Sequence, residues 1–336
     1  MPEARKRILL IGPMPDPPGG VSMHLYRLLQ AAESHPEFSL SVLDLRKRKL
    51  FDSHGSSGNW IFIVWTFLRA HIIHIHISKS LKVWVAKWSK MLGKKIVYTQ
   101  HNFRDLDDSS TRKTMQIAHR IVLVQPTPSA LNEFENKISV IPAYIPSTKI
   151  MRAPDWFINE IKNQPQVVLT LAYHEPGKAT RIDGKDLYGF DTILNVFERM
   201  SGDISLKEFL LVLIDPNGTL EKEYEASVRK LQSQSGMRIL YVPNAVDVSS
   251  MLSSCKLFLR CTLADGDSLS LREALAAGIP AIASDCANRP SGTIVYKTGN
   301  DEDLRDKIMA VLTHPYRITF QQTDFSQNLF ALYSSL

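Results

Sequence analysis

The sequence predicts an α/β chain folded as two doubly wound domains, and three observations carry that expectation. At 336 residues the chain is long enough for two cores of roughly 150 residues each. Short β-branched runs alternate with amphipathic stretches, the pattern of βαβ units and parallel sheets. The alternation stops at a polar, proline-containing stretch and then begins again.

In the first half, Arg7–Gly12 reads as a strand that ends at glycine and proline, and Val21–Ala32 reads as a helix. Leu40–Leu45, Ile72–Ile77, Lys95–Thr99, Ile121–Val124 and Ile138–Ile141 read as further strands, most of them separated by helical patterns. A stretch with Pro142, Pro146, Pro154 and Pro165 follows, which places a domain boundary near 147–166. The second set has strands at Val167–Leu171, Phe209–Ile214, Ile239–Val242, Leu257–Arg260 and Pro280–Ala283. Its helices are Phe190–Met200, Leu220–Gln234, Ser268–Ala277 and Glu302–Leu312. The tail, Phe320–Leu336, reads as an amphipathic helix with Phe325, Leu329, Phe330 and Tyr333 on its apolar side.

Composition narrows the class. A chain 44% hydrophobic and 22% charged is that of an ordinary globular protein, neither disordered nor membrane-embedded. The longest apolar stretch, Trp60–Leu68, is too short to span a bilayer. Cys255, Cys261 and Cys286 are odd in number and form no C-x-x-C pair, which points to a reduced, cytoplasmic setting. The net charge of +6 hides an asymmetry: residues 1–163 carry +10 and residues 164–336 carry −4. A basic half suggests an anionic surface, such as membrane lipid or a lipid diphosphate, met by the first domain alone. The interleaved lysines and tryptophans of Ser78–Lys95, with Trp84 and Trp88 four apart, suit an anionic membrane interface, to which Trp60–Leu68 adds an apolar wedge. A buried helix with one solvated lysine face is the plainer reading. No nucleic-acid module is visible, so nucleic acid is not an expected partner.

Ligands of open parallel sheets bind beyond the carboxyl ends of the strands, which directs attention to the loops that follow them. Gly19 and Gly20 open a helix, where backbone N–H groups can approach an anion; a proline-rich turn with a helix cap is the alternative. The spacing is not G-x-G-x-x-G, which argues against a dinucleotide site. The segment Thr262–Glu273 joins a strand to a helix, with Gly266 freeing the backbone and Ser268 a candidate N-cap. N–H groups near Asp267, Ser268, Leu269 and Ser270 are positioned for a diphosphate, Asp265 for a sugar, and Glu273 for a ribose diol. A capped surface helix with a solvated glutamate fits the same residues. His101 follows a strand directly, a place for substrate contact or for a structural histidine. His71, His74 and His76 lack a carboxylate or cysteine at ligand spacing, so no metal site is expected.

Taken together, these segments resemble glycosyltransferase family 4 and its GT-B relatives over nearly the whole chain. The resemblance rests on Pro18-Gly19-Gly20-Val21, IIHIHIS, TQHN, ISVIPAYIP and, above all, DGDSLSLREALAAGIPAIASD. The last segment is similar to the family's acidic-x7-Glu motif, with Asp265 and Glu273 at the two acidic positions. The resemblance implies two Rossmann-like domains facing a central cleft. Residues 1–155 with 320–336 would form the acceptor domain and 156–319 the nucleotide-sugar domain, the C-terminal helix crossing back to the first. It implies a retaining transfer that needs no metal or other cofactor, with a nucleotide sugar as donor. Glu273 would bind ribose, Asp265 and the Asp267–Ser270 backbone the donor sugar and phosphates. His101 would orient the sugar, and Gly19 and Gly20 would border the diphosphate and acceptor.

Three positions depart from the family pattern. Asp265 replaces glutamate, Tyr173-His174 replaces Gly-Arg, and Tyr188 replaces a phosphate-binding lysine. Arg181 or Lys185, in the long loop between them, is expected to restore the lost charge. The leading expectation is a cytoplasmic, membrane-associated enzyme of cell-surface polysaccharide biosynthesis acting on a glycan or lipid-linked acceptor. The alternatives are a non-catalytic GT-B homologue serving as a scaffold, a nucleotide-sugar epimerase or a sugar phosphorylase.

Overall fold

The computed structural model describes residues 5–15, 19–78, 80–103, 105–126, 128–147, 152–162, 166–316 and 318–336. Asp16, Pro17 and Pro18 of the glycine-rich loop, Lys79, and residues 148–151 and 163–165 of the domain junction lie outside the described residues. The chain divides into two units, Met1–Thr148 with Thr323–Leu336, and Lys149–Gln322.

Unit 1 begins with β1 (Lys6–Ile11), α1 (Gly20–Ala31), β2 (Phe38–Asp44), β3 (Lys49–Asp52) and β4 (Gly55–Ser57). It continues through α2 (Trp60–Arg69), β5 (Ile72–Ile75), α3 (Leu81–Met91), β6 (Lys95–Gln100), α4 (Ser109–Ile117), β7 (Arg120–Leu123) and β8 (Ile138–Val140). The strands form one sheet in the order β4-β3-β2-β1-β5-β6-β7-β8. All pairs are parallel except β2–β3 and β3–β4. Side chains alternate between two cores. Ile8 and Leu10 join Leu25 and Leu28 of α1 on one face. Leu9 and Ile11 join Ala86 of α3 and Met115 of α4 on the other. Burial on both faces is why these strands read as continuous apolar runs.

Unit 2 comprises α5 (Asp155–Ile161), β9 (Gln166–Leu171), β10 (Arg181–Ile182), β11 (Lys185–Asp186), α6 (Phe190–Met200), β12 (Phe209–Ile214) and α7 (Glu221–Ser235). Then follow β13 (Arg238–Val242), α8 (Ser249–Leu252), β14 (Leu257–Arg260), α9 (Leu269–Ala276), β15 (Ala281–Ser284), β16 (Ile294–Tyr296) and α10 (Asp301–Thr313). Its main sheet is wholly parallel in the order β13-β12-β9-β14-β15-β16. Val168 and Leu211 pack under α6, α7 and α10; Val167, Leu169 and Val212 pack on the opposite face against α5, α8 and α9.

The last helix, α11 (Ser326–Ser334), returns to unit 1, as expected of the fold class. Leu329, Phe330, Leu332 and Tyr333 are buried in the α1 side of that core. At about 1.5–3 kcal/mol for each large apolar side chain removed from water, this burial anchors the helix. Lys6 Nζ donates to the Tyr333 carbonyl at 2.9 Å, and the Tyr333 hydroxyl lies 2.6 Å from His74 Nδ1.

Candidate functional site

In unit 2 the chain lays down β9, adds β12 and β13 on one side, and returns to place β14 on the other. Strand order therefore reverses between β9 and β14, and the carboxyl ends of those two strands define the crevice where such sheets bind ligands. Arg260, the last residue of β14, donates from Nη1 to the carbonyl of Leu171, the last residue of β9, at a long 3.5 Å.

Asp265 lies in the loop that follows β14. Arg260 grips it with a two-pronged fork, Nε to Oδ2 and Nη2 to Oδ1, both at 3.0 Å. Arg289 Nη1 adds a third bond to Oδ2 at 2.9 Å, and the Gly266 amide donates to Oδ1 at 3.0 Å. Burial favours the neutral acid, but the two arginines outweigh it and hold the carboxyl down to about 2. Burial also works against the charge on Arg260, yet attraction to Asp265 leaves its pKa raised. Asp265, expected to face a sugar, has each of its oxygens accepting at least two hydrogen bonds from protein in this structure. A carboxylate so filled has no lone pair to offer a sugar hydroxyl.

The loop ends at Ser268, the N-cap of α9, whose hydroxyl accepts from the Leu271 amide at 3.4 Å. Arg272 Nε donates to Asp267 Oδ1 at 2.6 Å across the first turn, so Asp267 too is occupied by an arginine. Leu269 and Ser270 open the helix, and Glu273 follows half-buried in its second turn.

The segment between β9 and α6 is folded down rather than free to swing. The His174 ring is fully buried; its Nδ1 accepts from the Thr180 amide at 3.0 Å and its Nε2 lies 2.9 Å from Asp186. Asp183 and Gly184, with φ of 49° and 77°, turn the chain between β10 and β11. This hairpin holds Arg181 against the Gly184 carbonyl, at 2.9 Å, and against Glu223 of α7, while Lys185 is exposed. Of the two residues expected to restore the lost charge, Arg181 is thus engaged by Glu223. The cations beside Asp265 are Arg260 and Arg289, and the Arg260 guanidinium lies over the Tyr188 ring, 5.2 Å from its centroid. Next to Tyr188, Gly189 has φ of 76°, and a Cβ there would overlap the Cys261 carbonyl oxygen. Only glycine allows α6 to start this close to the end of β14.

In unit 1 the corresponding reversal falls between β1 and β5. His76, just past β5, lies with His24 of α1, His74 of β5 and His101 past β6 in one group. The His76 ring is 4.0 Å from that of His74 and 5.2 Å from that of His101. His76 Nδ1 and His101 Nε2 are 3.0 Å apart. His24 Nδ1 carries a proton to the Ala143 carbonyl at 2.6 Å, and His74 Nε2 pairs with Thr99 at 2.7 Å. Burial lowers His24 to about 4, the Ala143 bond opposing and Arg27 assisting. Burial and then His24 lower His101 to about 3, and burial sets His74 and His76 well below the ordinary range. These rings are therefore neutral at pH 7. Among the described residues no group of His, Cys, Asp or Glu is arranged to hold a metal ion. The Gly19 amide and carbonyl both bond the Ser22 hydroxyl, and a Cβ on Gly20 would meet nothing within 4 Å.

Unit 1 also carries an apolar surface. α2, capped by Asn59, rests Ile63 and Phe67 on the core but leaves Trp60 (71% exposed), Ile61, Trp65 and Leu68 in solvent. α3 packs on the same core through Val85 and Ala86 and exposes Trp84, Trp88 and Met91 (73%). Lys94 donates to the Leu68 carbonyl, joining the two helices' ends, while Arg69 covers Trp65 and Lys87 covers Trp84. No helix among the described residues is long and apolar enough to cross a membrane.

Sequence reasoning missed Arg260, Arg289 and His24. The one local cue was the charge that ends the strand Leu-Phe-Leu-Arg260.

With its two doubly wound sheets and the structural likenesses given below, the chain has an α/β fold of the GT-B type. Residues 184–328, from the hairpin turn into α11, match the family described as glycosyl transferases group 1. No curated protein is significantly similar to the chain. Among solved structures, Anabaena Alr3699/HepE in complex with UDP and glucose is similar at 13% identity and TM-score 0.62, covering 98% of this chain and 95% of that one. Trehalose-6-phosphate synthase OtsA is similar at 12% identity and TM-score 0.72, over 98% and 99%. The lipopolysaccharide outer core galactosyltransferase WaaB in its apo form is similar at 15% identity and TM-score 0.60, over 98% and 100%. At these identities the likeness is one of fold.

Proposed function

We propose that the chain is a retaining glycosyltransferase. It moves a sugar from a nucleoside diphosphate sugar to a glycan or lipid-linked acceptor in the synthesis of cell-surface polysaccharide. One observation carries the reading: at the reversal point of unit 2, a strand end leads through a short loop into the Ser268-capped α9, with Glu273 in the next turn. The match to glycosyl transferases group 1 spans this segment.

In this reading, amides of Asp267–Ser270 meet the diphosphate and Glu273 accepts from the ribose hydroxyls. The main chemical task is to stabilise charge on the departing diphosphate, and fixed N–H dipoles and guanidinium groups perform it without a metal. His101 orients the donor sugar; its lowered pKa keeps the ring neutral, so it acts as a hydrogen-bond partner and not as a repelling cation. Gly19 and Gly20 border the acceptor side. The exposed tryptophans of α2 and α3, with Arg69, Lys87 and Lys94, rest on anionic lipid where the acceptor is presented.

Incubation with a panel of nucleotide sugars and lipid-linked or oligosaccharide acceptors tests the reaction. Release of nucleoside diphosphate is expected, with retained anomeric configuration by NMR and undiminished rate after dialysis against EDTA. Inversion, or loss of rate on metal removal that metal restores, contradicts the mechanism. Sedimentation with anionic vesicles at low salt tests the membrane face, and its absence removes that part.

A second reading, a non-catalytic partner in glycan assembly, has one observation in its favour: the Asp265 carboxylate is filled by arginines. Donor binding without turnover over the whole acceptor panel is its signature.

A further inference from the structure

The polar centre at the end of β14 holds two guanidinium groups and one carboxylate, and the two arginines are not equivalent. Arg289 is enclosed. Its Nε donates to the Ser284 carbonyl at 2.7 Å and its Nη1 to Asp265. Its Nη2 faces the Thr262 and Ser284 hydroxyls, each at 3.1 Å, and Cys286 Sγ at 3.4 Å. Arg260 is held differently. The Asp265 fork fixes its orientation, the Tyr188 ring supports the guanidinium plane, and the long bond to Leu171 ties it to the end of β9. Among the described residues, one hydrogen on each terminal nitrogen of Arg260 is left without a protein partner. Asp265 neutralises one of the two cations, so the centre keeps a positive charge at the mouth of the crevice between β9 and β14.

We infer that Arg260 is the residue that binds an oxyanion of the donor. The oxyanion is the terminal phosphate of the nucleoside diphosphate or a carboxylate on the transferred sugar. This rests on the glycosyltransferase reading and assigns within that site a cation that no motif supplied. Asp265 is then a positioning residue: its fork sets the plane and direction of Arg260 in advance, so the anion meets donors already aligned. Arg289 fastens Asp265 from the other side and closes the back of the centre.

The test is calorimetric titration of the full chain. The probes are uridine, guanosine, adenosine and cytidine diphosphates and the matching monophosphates, then UDP-glucose and UDP-glucuronate. Wild type is compared with Arg260→Gln, Arg260→Lys and Glu273→Ala, each checked for an unchanged melting temperature. Arg260→Gln leaves Asp265 paired with Arg289, and Arg260→Lys keeps the charge in case the glutamine variant does not fold. Removing the cation is expected to weaken the preferred diphosphate about tenfold to a hundredfold and its monophosphate by much less. Lysine is expected to fall between, because an ammonium cannot hold the carboxylate fork and the anion together. A loss confined to UDP-glucuronate assigns the oxyanion to the sugar. If wild type binds a diphosphate and Glu273→Ala abolishes it while a folded Arg260 variant matches wild type toward every probe, this inference fails and the donor-site reading stands. Binding of no probe by wild type overturns both.

Discussion

Units 1 and 2 each reverse their strand order beside the first strand, and each crowds ionisable side chains at the resulting carboxyl edge. In unit 1 these are His24, His74, His76 and His101, packed ring against ring with their pKa values driven down by burial. In unit 2 they are Arg260, Asp265 and Arg289, also largely withdrawn from solvent, with the Asp265 carboxyl held down by the two arginines. An imidazole escapes the penalty of burying a charge by releasing its proton. A guanidinium cannot, and must be given a counter-ion. The difference suits the division of labour proposed above, with permanent charge where a diphosphate leaves and neutral donors and acceptors where hydroxyls are handled.

Because Asp265 pairs with both guanidinium groups, removing it has the largest effect. Asp265→Ala leaves the largely withdrawn Arg260 and Arg289 without their shared carboxylate and is expected to cost about 3–5 kcal/mol in urea denaturation. A change below ~1 kcal/mol would show that the centre is solvated and the comparison misdrawn. Gly189→Ala comes next. It forces an alanine to φ of 76° with its Cβ on the Cys261 carbonyl, at an expected ~2–4 kcal/mol. Hydrogen exchange that loosens around β14 and α6 would confirm where the strain falls; an unperturbed pattern would not fit.

The response to acid separates the two regions directly. The histidines bind protons less readily folded than unfolded, so between the ordinary value of 6.5 and about 3–4 the unfolded chain holds more protons. Their contribution is therefore complete above about pH 6.5 and is lost as pH falls, by up to ~1.4 kcal/mol per pH unit for each proton. Asp265 behaves as a depressed carboxyl. Its contribution is present above the ordinary 3.8 and is lost only toward about 2. Pulsed hydrogen exchange at pH 5 is expected to open the His74–Tyr333 region of unit 1 while β14 in unit 2 stays protected. The reverse order would contradict the assignment of neutral rings. The smallest effect is expected from Arg181→Gln, which breaks a half-exposed pair with Glu223 and shifts stability by under ~1 kcal/mol, with nucleotide binding unchanged. Lost binding there would return Arg181 to the donor site.

The alternation of strands and helices was legible because burial on both faces makes each parallel strand a short apolar run, as in Phe209–Ile214. Ser268 was legible as a cap, since a hydroxyl before an amphipathic run has a local reason to be there. The Asp183-Gly184 turn was not read, although the dipeptide favours tight hairpins; without it, the loop looked long enough to carry Arg181 back. The pairing of Arg260 with Arg289 through Asp265 had little local signal beyond the charge that ends β14. It depends on the ends of β14 and β15 brought side by side by the sheet, and residues 24 apart have no periodicity to reveal them. His24 was hidden for the same reason, as one polar residue among the apolar positions of α1.

The central claim is that unit 2 holds a nucleotide through the loop and helix that follow β14. Calorimetric titration of the metal-free protein with nucleoside diphosphates and nucleotide sugars, repeated with Glu273→Ala, tests it most directly. The account predicts saturable one-to-one binding of one nucleotide family by the wild type and its loss in the variant. Equal binding by a folded Glu273→Ala protein, or no binding by the wild type, would contradict it.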